Sequence, residues 1–307
     1  MAEIRREVRP HLAALAQASG ASGGAAPTVI VALSGGADSL ALAAATAFEA
    51  PKLGVRAIAV VVDHGLQTGS MDVAAAARAQ AETLGLEARV VRVEVGADGG
   101  PEAAARDARY AALDAAADAA GASAILLGHT LDDQAETVLL GLARGSGAAS
   151  LQGMAPASGR RIRPLLSVRR ATTAAFCAAS GLTPWDDPHN VDERFARVRV
   201  RERVLPMLEA ELGPGIAEAL ARTAEQLRED TEAFEVMIDE TIEDIVEHAE
   251  AGIAVSVPAL AANPPALRHR IIRHVVASEF GVSLTRSQTL EIARLVTDWR
   301  GQGPLHV

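Results

Sequence analysis

Cysteine and aromatic residues are scarce in this 307-residue sequence: Cys177 is the single cysteine, and aromatic residues make up 3% of the chain. One cysteine excludes a disulfide within the chain and a metal cluster held by several thiolates. Cys177 lies among small apolar residues, which predicts a buried thiol without a chemical role. Because aromatic rings are few, the core must consist mainly of aliphatic side chains, and an alanine-rich chain favours helices.

Long apolar runs are missing too. The longest, such as residues 57–62, have the length of a strand rather than the roughly 20 residues of a membrane-spanning helix. The chain begins with charged residues and continues with apolar residues at helical spacing, unlike a secretory signal. These observations predict a soluble protein of the cytoplasm that has no membrane partner.

Net positive charge is also lacking, because the formal net charge is −10, which argues against loose, non-specific binding of nucleic acid. The charges are distributed unevenly. Residues 158–203 contain ten arginines and five acidic residues, whereas residues 209–250 contain fourteen acidic residues and two arginines. The first segment is either a solvated surface or a basic patch for a polyanion, and the second predicts an acidic helix.

Short apolar runs alternate with longer helical patterns from residue 28 onwards. Strands are predicted at residues 28–34, 55–63, 88–95, 124–129 and 162–166, and helices at residues 38–49, 71–85, 101–121, 132–144 and 167–180. This alternation predicts an α/β fold with a doubly wound, parallel, five-stranded sheet of Rossmann-like type. In such sheets ligands bind beyond the carboxyl ends of the strands.

The pattern changes after residue 213. An amphipathic stretch over about residues 215–251 predicts one long helix or two joined helices, and a smaller, mainly helical region follows. We therefore predict a nucleotide-binding catalytic domain at residues 1–213. The remainder, residues 214–307, is predicted to be a long linker helix and a small helical domain.

The strongest local signal is the segment Ser34, Gly35, Gly36, Ala37, Asp38, Ser39, between the first predicted strand and its helix. Two glycines allow a tight turn whose N–H groups bind an anion, and the following helix adds the positive end of its dipole. The segment lacks the lysine of a Walker A loop. An aspartate in a phosphate site is unfavourable unless a Mg²⁺ neutralises the charges, so Asp38 is the predicted metal ligand.

Further motifs follow the second and fourth predicted strands. They are Asp63-His64-Gly65-Leu66, the run GHTLDDQAET at residues 128–137, Arg144-Gly145-Ser146-Gly147 and Leu151-Gln152-Gly153-Met154. The SGGADS loop resembles the PP-loop of the ATP pyrophosphatase superfamily. Together with the other motifs, it resembles the tRNA(Ile)-lysidine synthetase family over about residues 28–206, with a weaker similarity at residues 299–304.

The resemblance implies a reaction and its ligands. Family members use ATP to join the ε-amino group of free L-lysine to C2 of the wobble cytidine in tRNA(Ile) with a CAU anticodon. It implies that Ser34, Gly35, Gly36, Asp38 and Ser39 hold the pyrophosphate part of ATP. We further expect Asp63, His64, Gly128 and His129 to contact the nucleotide, and tRNA to bind through residues 160–203 and the C-terminal domain.

Three carboxylates, Asp132, Asp133 and Glu136, share one face at a predicted helix start. Acids there stabilise any helix through its dipole, and beside a nucleotide they would also suit an ammonium group or a metal. The resemblance implies that Asp133 and Glu136 contact the lysine substrate. Arg197 and Arg201 match an arginine-rich family element and are predicted to bind the substrate carboxylate or the tRNA backbone.

Three other residues are candidates for catalysis. Arg106 and Arg109, in a segment that also resembles the family, either neutralise phosphate charge in the transition state or lie on a helix surface. His129 follows a buried strand at the ligand end, so we expect it in the site rather than in the core. Asp38 and Asp133 complete the predicted catalytic set.

The sequence also departs from the family. Gln67 stands where arginine is frequent, Thr130 where histidine is frequent, and Val198 where asparagine is frequent. One alternative is a related tRNA thiolase of the 2-thiocytidine type, but that family needs paired cysteines. The DHGL and GHTLDDQAET motifs argue against relatives that make GMP, NAD or argininosuccinate. Another alternative is a non-catalytic nucleotide-binding RNA module. The sequence leaves the oligomeric state open, a homodimer included.

Overall fold

A computed structural model describes residues 2–21, 25–65, 69–96, 101–145, 147–249 and 252–301. Its helices are α1 (Ala2–Ala21), α2 (Ala37–Glu49), α3 (Ser70–Thr83), α4 (Pro101–Ala120), α5 (Leu131–Arg144), α6 (Ala148–Leu151), α7 (Arg170–Ala179), α8 (Ala196–Arg199), α9 (Leu205–Leu212), α10 (Ile216–Ile245), α11 (Val257–Ala262), α12 (Pro265–Phe280) and α13 (Arg286–Thr297). Its strands are β1 (Thr28–Leu33), β2 (Arg56–Asp63), β3 (Glu87–Arg92), β4 (Ala122–Leu126), β5 (Ala157–Ser158), β6 (Arg161–Ile162), β7 (Val246–Ala249) and β8 (Gly252–Val255).

The main sheet has the strand order β3-β2-β1-β4-β6-β5. The pairs from β3 to β6 are parallel, as predicted, and β5 is antiparallel to β6. From β1 the chain moves outward to β2 and β3 and then returns to the other side of β1 as β4. The strand order therefore reverses between β1 and β4, and the crevice at their carboxyl ends is where a doubly wound sheet binds its ligand.

The prediction of five strands was wrong. The described part of this sheet has six, because the predicted strand at residues 162–166 is replaced by the two-residue strands β5 and β6. Gly159, with a φ of +54°, lies in the turn between them. Pro164 has no N–H group to donate to a ladder, so the chain leaves the sheet there.

Both faces of the sheet are covered, which explains why the strands are continuous apolar runs. One face packs against α2 and α3, and α1 and α7 in turn pack against α2. Cys177 is buried in this core, as predicted. The other face packs against α4 through residues such as Ile30, Ile58 and Leu113. The helix-forming alanines of α2 and α4 are small enough to let these helices pack closely on the strands.

The chain divides into two compact units, Met1–Glu225 and Gln226–Val307. In the first unit, residues 196–206 form α8, a π-helical turn at Val200–Val204 and the start of α9, so Arg197 and Arg201 lie on consecutive helical turns. The amphipathic stretch is one helix, α10. The second unit has its own core around Ile238, Ile271 and Ile272.

The second unit also contains the antiparallel pair β7–β8, which the sequence pattern did not predict. The domain bounds given above stay a prediction. None of the helices in the described ranges combines the length and apolar character needed to cross a bilayer.

Candidate functional site

The loop between β1 and α2 is held in one shape by its own side chains. Gly35 has a φ of +87°, and a Cβ there would lie 3.3 Å from the Cβ of Ala77, so glycine suits this position on two grounds. The Ser34 N–H donates to Ser39 Oγ at 3.1 Å, and Ser39 Oγ donates to the Gly36 carbonyl at 2.9 Å. A loop prepared in this way loses little entropy when it binds an anion.

Neighbouring elements also fix the loop. Gly128 follows β4, and a Cβ there would lie 3.1 Å from backbone atoms of Asp38 and Ser39. On the other side, the Trp185 N–H donates to the Gly35 carbonyl at 3.0 Å. The carboxyl end of β4 and the start of α2 therefore pack backbone against backbone, as the topology of the sheet requires.

Asp38 lies in the first turn of α2 and is largely buried, with 23% of its side chain exposed. Its Oδ1 accepts a hydrogen bond from the Thr173 hydroxyl, and its Oδ2 lies 3.6 Å from Arg170 Nε. Burial raises the pKa of Asp38, and the nearby charge of Asp133 raises it further, while Thr173 and Arg170 oppose the shift. The site therefore disfavours a charged Asp38 unless another cation is present.

The carboxylates of α5 lie beside this loop. Asp133 caps its own helix, because its Oδ2 accepts from Thr130 N at 2.8 Å and from Thr130 Oγ1 at 2.9 Å. Its Oδ1 accepts from Arg170 Nη2 at 2.8 Å. Burial alone would raise the pKa of Asp133, but Arg170 and the Thr130 N–H lower it. Asp133 thus caps its own helix and also binds Arg170, and its predicted site role stays a prediction.

Glu136 has no exposed side-chain surface. Arg201 binds it through two bonds, Nε–Oε1 at 2.7 Å and Nη2–Oε2 at 3.1 Å. Arg170 contacts Oε1 at 3.2 Å, and Arg197 lies 4.0 Å from Oε2. Asp132 accepts from the Arg170 N–H at 2.7 Å. The four carboxylates around Arg170 are therefore matched by guanidinium groups, so a substrate ammonium would share them rather than find them free.

A cavity of about 150 Å³ opens on this cluster. Asp132, Glu136 and Arg201 provide its charged wall, and Leu205 and Pro206 of α9 provide an apolar wall. A second cavity, of about 260 Å³, lies beside Gly35 and Trp185 on the side of α3. The first cavity has the composition that suits an amino acid with an aliphatic chain between charged ends.

The strand ends hold a second group of candidates. Asp63, at the end of β2, is buried and its Oδ1 accepts from Gly65 N at 3.0 Å. Burial lowers the pKa of His64, and Arg109 lowers it further. Burial also lowers the pKa of His129 to about 4, helped by Arg163 and Arg109 and opposed by Asp133. Both imidazoles are therefore neutral at neutral pH.

Arg106 and Arg109 lie on α4 near His129, rather than in the carboxylate cluster of α5. Burial lowers the pKa of the Arg109 guanidinium, which nevertheless stays charged at neutral pH. The predicted residues thus fall into two groups that meet at His129 and Asp133. Leu66, Gln67 and Ser146 lie outside the described residues.

Several residues of this site were not found by sequence reasoning. Arg170 touches Asp38, Asp133 and Glu136, and its neighbour Arg169 lies 3.4 Å from Asp132. The paired arginines at the start of α7 were a signal, because a basic residue in a first helical turn opposes the helix dipole. Thr173, Trp185 and Arg163 carried no such signal.

In the part of the chain that the structure describes, no group of three or more histidine, cysteine or acidic side chains is arranged to hold a metal. A divalent cation would therefore depend on one protein carboxylate and on the phosphates of a nucleotide. Asp38 fits this requirement, because Mg²⁺ in phosphate sites commonly takes one or two carboxylates together with phosphate oxygens.

Comparisons with known proteins agree with this geometry. Residues 8–208 match the family model described as a PP-loop domain. The tRNA(Ile)-lysidine synthase of Leifsonia xyli is 62% identical over 279 residues, covering 90% of this chain and 84% of its own. The Streptomyces coelicolor protein of that name is 53% identical, covering 92% of this chain and 81% of its own. The Salinispora arenicola protein is 49% identical, covering 100% and 91%.

Among solved structures, the U34-tRNA thiolase NcsA from Methanococcus maripaludis is similar, with a TM-score of 0.60 and 21% identity. The similarity covers 74% of this chain and 79% of the thiolase. At this identity the similarity shows the PP-loop fold and no more.

Proposed function

Because this chain belongs to the tRNA(Ile)-lysidine synthase family, we propose that it is an ATP-dependent ligase that forms lysidine in tRNA(Ile). The reaction joins the ε-amine of L-lysine to C2 of the wobble cytidine of a CAU anticodon and releases AMP and pyrophosphate. The observation that carries the proposal is the position of Arg170. It contacts Asp38 of the nucleotide loop and Asp133 and Glu136 of α5, so the loop and the carboxylates form one site.

In the first step, the C2 carbonyl oxygen of the cytidine attacks the α-phosphate of ATP, and the bond to pyrophosphate breaks. The N–H groups of the loop at Gly35 and Gly36 and the hydroxyls of Ser34 and Ser39 would hold the departing pyrophosphate. Arg106 and Arg109 would neutralise charge that develops on the α-phosphate. His129, being neutral, would act through hydrogen bonds rather than through charge.

In the second step, the lysine amine attacks C2, the bond from C2 to oxygen breaks, and AMP leaves with that oxygen. Asp133 and Glu136 would hold the amine close to C2, and Arg201 or Arg197 would bind the lysine carboxylate. The amine must lose a proton before it attacks, and a nearby carboxylate of the α5 cluster would accept that proton. The neighbouring cavity of about 150 Å³ would take the aliphatic chain.

Asp38 would hold Mg²⁺. When bound, the ion supplies charge neutralisation for the leaving pyrophosphate. The proposal also places tRNA contacts on residues 160–203 and on Arg268, Arg270 and Arg273 of α12, because the rest of the chain is acidic.

A thiolase reaction is disfavoured by the chain itself. Cys177 is the single cysteine, it is buried, and burial raises the pKa of its thiol to about 11. A thiol in this state is a poor nucleophile and a poor metal ligand.

The test is a reconstituted reaction with purified protein, ATP, Mg²⁺ and a transcript of tRNA(Ile) with a CAU anticodon. We expect pyrophosphate release to depend on the tRNA, and lysine to be incorporated at the wobble position. A tRNA(Met) transcript, which shares the anticodon, is the matched control. Pyrophosphate release without lysine incorporation would support another adenylating reaction, and no release at all would support a non-catalytic module.

A further inference from the structure

The carbonyl of Gly35 is bound from outside the nucleotide loop. It accepts a hydrogen bond at 3.0 Å from the backbone N–H of Trp185, a residue far along the chain. Because a trans peptide places its C=O and N–H groups on opposite sides, the Gly36 N–H of the same peptide points away from Trp185. The bond therefore sets the direction of one of the N–H groups that are proposed to hold the pyrophosphate.

Trp185 belongs to a short strap, residues 182–185, that runs from the end of α7 to the nucleotide loop. The start of the strap is anchored, because the Leu182 N–H donates to the Cys177 carbonyl at 3.0 Å and the Leu182 side chain packs on the core. Pro184 has a fixed φ and restricts the preceding residue, Thr183, to an extended shape. The strap is therefore stiff, so a shift of Thr183 would also move Trp185.

Gln80 of α3 binds this strap through both ends of its side-chain amide. Its Nε2 donates to the Thr183 carbonyl at 2.9 Å, and its Oε1 accepts from the Thr183 N–H at 2.9 Å. The amide thus pairs with one backbone residue as a neighbouring strand would. One turn earlier on the same face of α3, Ala77 lies against Gly35, where an added Cβ would be 3.3 Å from the Ala77 Cβ. One helix therefore contacts both the strap and the loop.

The space between α3 and the strap is not filled. A cavity of about 260 Å³ lies there, and Gly35, Gln80, Thr183 and Trp185 are among the residues that line it. Because side chains leave this space open, the strap depends on hydrogen bonds rather than on close packing to keep its distance from α3. The two bonds of Gln80 lie at the middle of the strap, where they control that distance most directly.

We propose that Gln80 is a positioning residue for the adenylation step. By holding Thr183, it keeps the Trp185 N–H on the Gly35 carbonyl and so keeps the Gly36 N–H directed at the departing pyrophosphate. Donors that are oriented before the charge develops stabilise it without a cost of reorganisation. The inference rests on the proposed function, and Gln80 acts through the strap rather than by touching a substrate. It belongs to none of the sequence motifs described above.

The test uses Gln80→Met, which keeps the length of the side chain and removes both hydrogen bonds. Arg78→Met is the matched control, because Arg78 lies on the same helix and forms an exposed salt bridge with Glu82. Calorimetry measures the binding of pyrophosphate with Mg²⁺ and, separately, of AMP to the full chain. Thermal unfolding of each variant reports on folding.

We expect Gln80→Met to weaken pyrophosphate binding by about threefold to tenfold and to leave AMP binding unchanged, because AMP lacks the phosphates that the loop holds. In the reconstituted reaction, the same variant should raise the ATP requirement and leave the lysine requirement unchanged. Arg78→Met should behave as the wild type does in every measurement. If Gln80→Met does not fold, Gln80→Ala replaces it with the same expected result, because alanine removes both bonds and favours the helix.

Equal losses of pyrophosphate and AMP affinity, or no loss in a folded variant, would overturn the proposal, because Gln80 would then serve the fold alone. The binding measurements need no turnover, so they are independent of the reconstituted reaction. A wild type that makes lysidine, beside a Gln80→Met protein with normal pyrophosphate affinity, would refute the positioning role and leave the proposed function standing. A wild type that binds no pyrophosphate would instead refute the role proposed for the loop.

Discussion

Replacement of Glu136 by glutamine removes one charge from the α5 cluster while keeping the shape of the side chain. The wild-type carboxylate is fully buried and accepts bonds from Arg201 at 2.7 and 3.1 Å and from Arg170 at 3.2 Å. After the change, Arg201 loses its two charged hydrogen bonds and keeps one carboxylate partner, Asp133, whose Oδ1 lies 3.6 Å from Arg201 Nη2. We therefore expect the variant to contain a largely buried guanidinium that is poorly compensated.

The magnitude follows from the burial. Breaking a buried ion pair by removing one partner costs about 3–5 kcal/mol, because the remaining charge stays desolvated. For a unit of this size each kcal/mol lowers the melting temperature by roughly 2–4 °C, so we expect a fall of roughly 6–20 °C. A Glu136→Gln, Arg201→Gln double variant should recover part of this loss, because it removes the excess charge.

The assay is thermal and chemical unfolding of the full chain, with Asp118→Asn as the control. Asp118 also pairs with an arginine, Arg160, but its side chain is 69% exposed, so we expect no measurable change. In the proposed reaction, Glu136→Ala should also raise the lysine requirement by about tenfold to a hundredfold and leave the ATP requirement nearly unchanged. A Glu136→Gln protein as stable as the wild type would show that the arginines turn to solvent, and would refute the reasoning.

Three further predictions concern other parts of the chain. Asp38→Asn should abolish pyrophosphate release. It should not lower the melting temperature, because burial disfavours the charged carboxylate. Near-normal pyrophosphate release from the folded variant would contradict the metal-binding role. The pKa of His129 is lowered from 6.5 to about 4, so the unfolded chain takes up the proton at a higher pH than the folded chain does. The stability of the fold is therefore complete above pH 6.5, and about 3 kcal/mol of it is lost as the pH falls towards 4. His129→Gln should weaken the dependence of the unfolding free energy on pH in that window. An unchanged dependence would assign it to other groups. Replacing Arg268, Arg270 and Arg273 together should weaken tRNA binding and leave ATP binding unchanged, as titration of both ligands would show. Unchanged tRNA affinity would mean that these arginines stabilise the fold instead. Arg268 already donates to two backbone carbonyls.

The central sheet could be predicted because its strands are buried on both faces. A continuous apolar run such as that of β1, placed between two helical patterns, is typical of a strand in a sheet covered by helices on both sides. The strands β5 and β6 could not be predicted in the same way, because two residues are too few to show a period. The pair β7–β8 lies next to a strongly helical pattern, and its pairing depends on a partner strand rather than on local preference.

The nucleotide loop and the α5 carboxylates could be located from the sequence because each set lies within a few residues. Their ion-pair partners could not, because Arg170 lies 34 to 38 residues from the α5 carboxylates and still further from Asp38. An arginine beside a helix start resembles any surface arginine until its partners are known.

The contact between Gly128 and the start of α2 limits how the sequence can vary over time. The backbone of Gly128 does not have the positive φ that demands glycine, so local geometry alone would accept alanine. The restriction comes instead from Asp38 and Ser39, whose backbone atoms would lie 3.1 Å from the added methyl group. Such a methyl group would force the backbone of the phosphate loop to move away from the strand end by a few tenths of an ångström. Substitution at this position is therefore opposed by a segment ninety residues away in the chain. An engineer who wishes to reshape the loop must treat the two segments as one unit.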